Sequence, residues 1–107
     1  MSESRTQDRG PSLPTLEGAL SRQMQIVNRK GLHARATAKF VQCVERFDAD
    51  VKVSRCGETV GGDSIMGILT LGAGLGSTIT VFASGVEARE ALAALAELVA
   101  NRFGEDE

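Results

Sequence analysis

The chain has 107 residues, 42% of them hydrophobic, and a formal net charge of −2 at pH 7, which is typical of one domain with a modest core. Clustered Lys and Arg are absent, so nucleic acid is not an expected partner. Because no segment reaches the roughly 20 apolar residues of a membrane span and "MSESRTQDRGPSLP" lacks the apolar centre of a signal peptide, we expect a cytoplasmic protein without membrane insertion.

Residues 1–22 are predicted to be a flexible N-terminal tail, followed by a single domain over residues 23–107. Both prolines, Pro11 and Pro14, lie in the tail, and no hydrophobic period is sustained there. "MQIVN", from Met24, alternates as a short strand does, and Gly31 then breaks the chain. From Ala34 a helix is predicted, because apolar positions recur at spacings of three and four: Thr37, Phe40, Val41, Val44 and Phe47.

The second half of the chain predicts a hairpin, a short helix, a strand and a long helix. Val51–Arg55 and Glu58–Val60 flank a glycine turn, and "DSIMGILTL" opens a short helix at Asp63 and Ser64. "GAGLG" is a loop, and "STITVFA" has the strongest strand pattern. The last helix is predicted to run to about Phe103, with a buried stripe of Ala88, Leu92, Leu95, Val99 and Phe103. The order β-α-β-β-α-β-α predicts an α+β fold with one sheet and helices on one face.

The cysteines are predicted to be free thiols. Cys43 and Cys56 lie in different predicted elements and form no CxxC pair. Together with a single histidine, they make a poor metal site, so no metal or other cofactor is expected.

The stretch "NRKGLHARATAKF" contains the only histidine of the chain, His33, directly before a predicted helix. Gly31 can turn the chain sharply out of the strand. Free amides of the first helical turn, those of Ala34 and Arg35, would then face the imidazole and favour a bound anion. The Arg35 side chain can pair with a phosphate through two parallel hydrogen bonds. The spacing therefore indicates a nucleophilic imidazole beside a phosphate site, although a lone histidine near a helix start is more often a surface residue or an incidental cap.

Two separate stretches make the phosphate interpretation more specific. "GLHARATAKF" resembles the active-site segment of the HPr family, the histidine phosphocarriers of bacterial phosphotransferase systems. "GGDSIMGILTLGAGLGSTITVFASG" resembles the second helix, loop and fourth strand of that family. The resemblance runs from about Met24 to Phe103. It implies the open-faced β-sandwich of the family, a four-stranded antiparallel sheet with three helices on one face.

The resemblance implies that the protein is a phosphoryl carrier, and not an enzyme in the ordinary sense. His33 would be phosphorylated on Nδ1 (the pros nitrogen) by an enzyme I-type donor and would pass the group to an enzyme IIA-type acceptor. Arg35 would be the partner of the histidine, and the backbone amides of Ala34 and Arg35 would bind the phosphate. The family normally has proline where this chain has Ala36. We expect the helix to form with alanine at this position. The protein is also expected to be a monomer.

The resemblance also implies a regulatory serine and a docking surface. Ser64 matches the site that HPr kinase/phosphorylase modifies in some bacteria, although Asp63 replaces the usual basic residue before it. Whatever else it does, a serine in this position is expected to cap the short helix. Ile65, Met66 and Leu69 would flank the active-site histidine and dock partners, since a two-turn helix that is apolar nearly all round must expose some of its side chains.

Three alternatives remain open at this stage. The first is a regulatory interaction protein of a nitrogen- or carbon-signalling phosphotransferase chain, whose phosphorylation state partner enzymes read without sugar uptake. The second, a small-ligand or RNA-binding α+β domain, is disfavoured because the strands lack stacking aromatics and the chain lacks a basic face. The third, a hydrolase using His33, is disfavoured because the sequence identifies no second catalytic group and no acid–base pair.

Overall fold

The computed structural model of the protein describes residues 19–105. In this range four antiparallel strands form one sheet, β1 (Leu20–Gln25), β2 (Asp50–Arg55), β3 (Glu58–Gly61) and β4 (Thr78–Ser84). Their order across the sheet is β1-β4-β2-β3. Strand β4 pairs with both β1 and β2, with Thr80 opposite Gln23 and Val81 opposite Val53. The longest apolar strand therefore lies in the interior of the sheet.

Three helices complete the fold, α1 (Ala34–Glu45), α2 (Ile65–Thr70) and α3 (Ala88–Ala100). Strand β4 alternates strictly, so Ile79, Val81 and Ala83 are buried while the residues between them are partly exposed. The largest fully buried apolar side chains come from both layers: Ile26, Phe40, Val53, Ile68, Ile79, Val81, Leu95, Val99 and Phe103. The predicted element order and the open antiparallel sheet with three helices are confirmed. No helix within residues 19–105 is long and apolar enough to cross a membrane.

The predicted hairpin is formed by β2 and β3. Cys56 and Gly57 at its tip both have positive φ angles, of 53° and 85°, as a two-residue turn of type I′ requires. Cys56 is exposed in this turn and Cys43 is buried in α1, and both thiols are free. Burial raises the pKa of the Cys43 thiol, and the positive charge of Arg46 opposes this effect.

The first strand begins earlier than predicted. It starts at Leu20 and ends at Gln25, so residues 20–22 belong to the sheet and not to the tail. The hydrophobic pattern did not indicate this start because β1 is an edge strand on which only Met24 is buried. The rest of the predicted tail, residues 1–18, lies outside the described residues.

The last helix ends earlier than predicted, at Ala100. Arg102 and Phe103 have positive φ angles of 58° and 55°, and Arg102–Gly104 form a 3-10 turn. Phe103 is still fully buried, but it reaches the core from this turn and not from the helix. The periodicity misled because residue 103 is spaced correctly for a helical stripe. The turn sends the chain toward the start of α1, where the candidate site lies.

Candidate functional site

His33 is the N-cap residue of α1, with extended backbone angles of φ −76° and ψ −178°. The turn before His33 packs against the loop that follows α2. Gly31 has a φ angle of 68°, and a Cβ atom there would lie 2.6 Å from the carbonyl oxygen of Ala73. The Leu32 amide donates a hydrogen bond of 2.9 Å to the same oxygen. Only glycine combines this backbone conformation with such a close approach, so the position of the imidazole is fixed by the fold.

The histidine side chain caps its own helix. The backbone N–H of Arg35 donates to Nδ1 of His33 over 3.2 Å, and the amide of Thr37 donates to the His33 carbonyl over 2.8 Å. An N-cap side chain ordinarily satisfies one of the unpaired amides at a helix start, and here an imidazole nitrogen does so. A helix-terminal amide is therefore directed at a nitrogen that can act as a nucleophile.

The other ring nitrogen contacts a residue that sequence reasoning missed. Nε2 of His33 lies 2.5 Å from Oε2 of Glu105, and the two side chains are 29% and 20% exposed. No acid–base partner for the histidine was predicted from the sequence, and the structure supplies a carboxyl group. The two residues are separated by 72 positions. No local spacing could have connected them, because the 3-10 turn at Arg102–Gly104 directs Glu105 to the site.

Asn28 donates a hydrogen bond to the carboxyl group of Glu105. Its side chain is fully buried, and its Nδ2 donates 2.8 Å to the Gly31 carbonyl and 3.0 Å to Oε1 of Glu105. Its Oδ1 has no hydrogen-bond partner among the described residues. Two acceptors therefore determine how the amide is oriented, since a flipped amide would place its oxygen against two other oxygens.

Glu105 is held in its ionised form. Partial burial opposes ionisation, but the hydrogen bonds from His33 and Asn28, together with the charges of His33 and Lys30, outweigh it and lower the pKa of the Glu105 carboxyl. The negative charge of Glu105 therefore lies next to Nε2 of His33, the ring nitrogen that the Arg35 amide does not contact.

Arg35 itself is exposed. Within residues 19–105 no ion pair engages its guanidinium, so it can approach an anion bound at the start of α1. The backbone amide of Arg35 contacts Nδ1 of His33 independently of the Arg35 side chain. The amide and the guanidinium can therefore contribute separately to binding an anion.

Ser64 is the N-cap of α2, as predicted, and its Oγ accepts a 3.0 Å hydrogen bond from the amide of Gly67. The predicted docking residues differ in exposure. Ile65 is 42% exposed and Met66 71%, while Leu69 is partly buried. The fully buried residue of this helix is Ile68. Leu75, on the loop that supports the histidine turn, is 61% exposed and was not identified from the sequence.

The open antiparallel sheet with three helices defines a small α+β protein, and its single histidine is partly exposed at the start of a helix. Residues 20–101 match the family described as "PTS HPr component phosphorylation site". Phosphocarrier protein HPr of Cupriavidus necator is 50% identical over 82% of this chain and 99% of its own length. Phosphocarrier protein NPr of Shewanella violacea is 38% identical over 80% and 94%, respectively. The crystal structure of HPr-C-His from Thermoanaerobacter tengcongensis superposes with a TM-score of 0.79 at 36% identity, covering 82% of this chain and 99% of that one. The chain belongs to the HPr family of phosphocarrier proteins.

Proposed function

We propose that the protein accepts a phosphoryl group on Nδ1 of His33 from a phosphohistidine of an enzyme I-type donor and passes it to an enzyme IIA-type acceptor. The observation that carries this proposal is the imidazole at the start of α1, with the Arg35 amide directed at Nδ1 in a chain of the HPr family. The lone pair of Nδ1 forms the new P–N bond, and the P–N bond of the donor breaks with its electron pair returning to the donor nitrogen.

The phosphoryl oxygens would be met by hydrogen-bond donors on the Nδ1 side of the ring. The amides of Ala34 and Arg35 lie at the positive end of α1, and the exposed guanidinium of Arg35 can form two parallel bonds with the oxygens. The protein would accelerate transfer by positioning and charge neutralisation within the complex with its partner, and not as a free-standing enzyme.

The partners are proposed to dock on the apolar side chains of Ile65, Met66 and Leu69. Two of the three are exposed, although apolar side chains of this size are ordinarily buried. Methionine suits a surface that must accept both a donor and an acceptor, because its flexible side chain repacks against different shapes. We propose that a cytoplasmic monomer performs the transfer.

Ser64 is proposed as a regulatory phosphorylation site for HPr kinase/phosphorylase. A phosphate at the start of α2 would be tolerated by the helix dipole and would add about −1.5 to −2 charges beside the exposed Ile65 and Met66. Asp63, next to it, adds a negative charge where the family usually has a basic residue, so recognition by the kinase must accommodate an acidic neighbour.

The pathway served is proposed to be sugar uptake, with a purely regulatory phosphotransferase chain as the alternative. Relatives named HPr and NPr both match nearly the whole described domain. Offering phosphorylated protein to purified enzyme IIA components of sugar permeases separates the two. Transfer to such a component supports uptake, whereas transfer confined to regulatory acceptors supports the alternative.

The deciding experiment for the carrier itself is incubation with phosphoenolpyruvate and a purified enzyme I, followed by intact-protein mass spectrometry. We expect one added phosphoryl group that is lost in acid and stable in base. His33→Ala should remain unlabelled with an unchanged circular dichroism spectrum. Labelling that persists in His33→Ala would end the proposal.

A further inference from the structure

We propose that the cleft between α1 and α3 binds a small linear molecule that carries an anionic group, carboxylate or phosphate, at each end. The cleft has a volume of about 460 Å³, within the range of about 300–1,000 Å³ that is typical of small-molecule sites. None of the residues that line it belongs to the His33 site. The proposal is therefore independent of the proposed phosphoryl transfer.

The two helices run in opposite directions along this cleft. Lys39 of α1 is bonded to Phe103, which lies just beyond the end of α3. At the other end, the Asp48 amide donates to Glu87, which directly precedes α3. The α1 face of the cleft begins at Lys39 and ends at Arg46, seven residues later. The Cα atoms of these two cations are therefore separated by about 10 Å along the helix axis.

The ammonium group of Lys39 is half-buried and is not neutralised by a described carboxylate. Its Nζ donates a 2.7 Å hydrogen bond to the Phe103 carbonyl, and two further N–H donors have no acceptor among the described residues. Within residues 19–105 no ion pair includes Lys39. A partly buried cation without a counter-ion is unfavourable, so an anion gains more here than at a fully exposed lysine. The Phe103 carbonyl also holds the ammonium in place before a ligand binds.

Arg46 supplies the second cation, at the opposite end of the α1 face. Its guanidinium carbon lies 5.3 Å from the centroid of the Phe47 ring, a contact that leaves the N–H donors free. Its positive charge opposes the rise that burial causes in the pKa of the Cys43 thiol, so the guanidinium lies near the buried floor of the cleft. No described carboxylate forms an ion pair with Arg46. Its planar group is therefore available for two parallel bonds with a carboxylate or a phosphate.

The middle of the cleft suits a chain of atoms better than a third charge. Cys43, Ala94 and Leu98 supply apolar surface, and the short side chain of Ala94 leaves space above it. Glu97 is the one carboxylate among the described lining residues, which leaves a net charge of +1 from two cations and one anion. Because Glu97 lies between the ends of the α3 face, a ligand with its charges at its two ends keeps them away from this carboxylate. A monoanion would neutralise only one of the two cations.

The test is a titration of the ¹⁵N-labelled full chain with suberate, a linear dicarboxylate, followed through the backbone amide shifts. We expect saturable shifts centred on residues 39–46 and 94–101, separate from any anion binding near His33. Octanoate has the same chain length with one carboxylate, and succinate has two carboxylates that are too close together. Each should bind about 10-fold more weakly, the effect of losing one charge-assisted contact. The bisphosphate ester of hexanediol is compared with suberate, and the tighter ligand identifies the preferred end group.

Variants connect the binding to the cleft. Arg46→Gln should weaken suberate binding about 10-fold, whereas Arg89→Gln, an exposed change outside the cleft, should not. Ala94→Leu keeps every charge but fills the cleft and should also weaken binding, while Glu97→Gln removes a repulsive charge and should strengthen it. Arg46→Gln should still accept a phosphoryl group on His33 at the wild-type rate, so the site and the carrier function fail separately. Equal affinities for suberate and octanoate, or an unchanged suberate affinity in both Arg46→Gln and Ala94→Leu, would overturn the proposal.

Discussion

Lys39, on the second turn of α1, donates a 2.7 Å hydrogen bond from Nζ to the carbonyl oxygen of Phe103. The acceptor lies in the left-handed turn that follows α3, two residues before Glu105. This bond ties the C-terminal turn to the helix that begins at His33. Placement of the carboxyl group therefore depends on a lysine that touches neither His33 nor Glu105 directly.

Replacing Lys39 by Met should weaken this turn, because the apolar stem is kept while the donor is lost. We expect the free energy of unfolding to fall by about 1.5–3 kcal/mol, the range for a hydrogen bond to a charged group. Chemical denaturation gives the value. Lys52→Met is the matched control, since the exposed pair between Lys52 and Asp50 should contribute less than about 1 kcal/mol. Equal losses in both variants would show that the bond to Phe103 has no special weight.

Three glycines of the same region separate backbone strain from close packing. Gly31→Ala should lower the free energy of unfolding by about 2–4 kcal/mol, because its left-handed backbone and its contact with Ala73 both oppose a Cβ atom. Gly76→Ala, with a φ angle of 88° and open space around the new atom, should cost only about 1–2 kcal/mol. Gly74→Ala meets no atom within 4 Å and should be nearly neutral. If Gly31→Ala and Gly76→Ala prove equally costly, the close approach to the loop is unimportant.

Local pattern was sufficient to place His33 but could not place Glu105. The glycine before the histidine and the three- and four-residue spacing after it are features of adjacent residues, so the helix start could be predicted. Glu105 reaches the ring only because Arg102 and Phe103 adopt left-handed conformations, which non-glycine residues rarely do and which no motif announces. Phe103 was wrongly assigned to the last helix, because a buried aromatic residue at helical spacing is compatible with either a helix or a turn. The first four residues of the edge strand β1, residues 20–23, were not predicted for a related reason, because they are all exposed and carry no alternation.

The lowered pKa of Glu105 predicts a definite pH dependence of stability. A carboxyl group whose pKa is lower in the folded state stabilises the fold above its unfolded pKa, near 4.3 for a free glutamate, and this contribution is lost as the pH falls through the folded value. The difference in free energy of unfolding between wild type and Glu105→Gln should therefore shrink in acid, as the pH falls through the folded pKa of Glu105. Denaturant titrations from about pH 7 to pH 3 measure it. A difference that stays constant over this range would mean that the ionised carboxylate gains nothing from its contacts.

Arg35→Ala should slow phosphoryl transfer from enzyme I on the order of 100-fold while sparing the fold, because the guanidinium is exposed and its loss leaves the backbone amide in place. Arg35→Lys should recover part of the rate, since an ammonium supplies charge without the two parallel hydrogen bonds. Arg89→Ala, an exposed arginine on α3, controls for the general change in net charge. Single-turnover transfer measured by rapid quench gives the rates. Equal rates in wild type and Arg35→Ala would mean that the helix amides hold the phosphoryl group unaided.

A negative charge at Ser64 should reduce docking of the donor without unfolding α2. Ser64 caps the helix through its bond with the Gly67 amide, so alanine is a poor reference because it would lose about 1 kcal/mol of capping. Ser64→Asn and Ser64→Asp both retain a capping side chain and differ only in charge, which makes them a matched pair.

We expect Ser64→Asp to bind enzyme I more weakly than Ser64→Asn and to accept the phosphoryl group more slowly. The charge lies next to the exposed Ile65 and Met66, and the partner must desolvate it. Kinase-treated wild type, with more charge and more acceptor oxygens, should show a stronger effect. Calorimetric titration with enzyme I measures the affinities. If Ser64→Asp and Ser64→Asn bind alike and kinase-treated protein accepts phosphate at the full rate, Ser64 is a helix cap and not a switch.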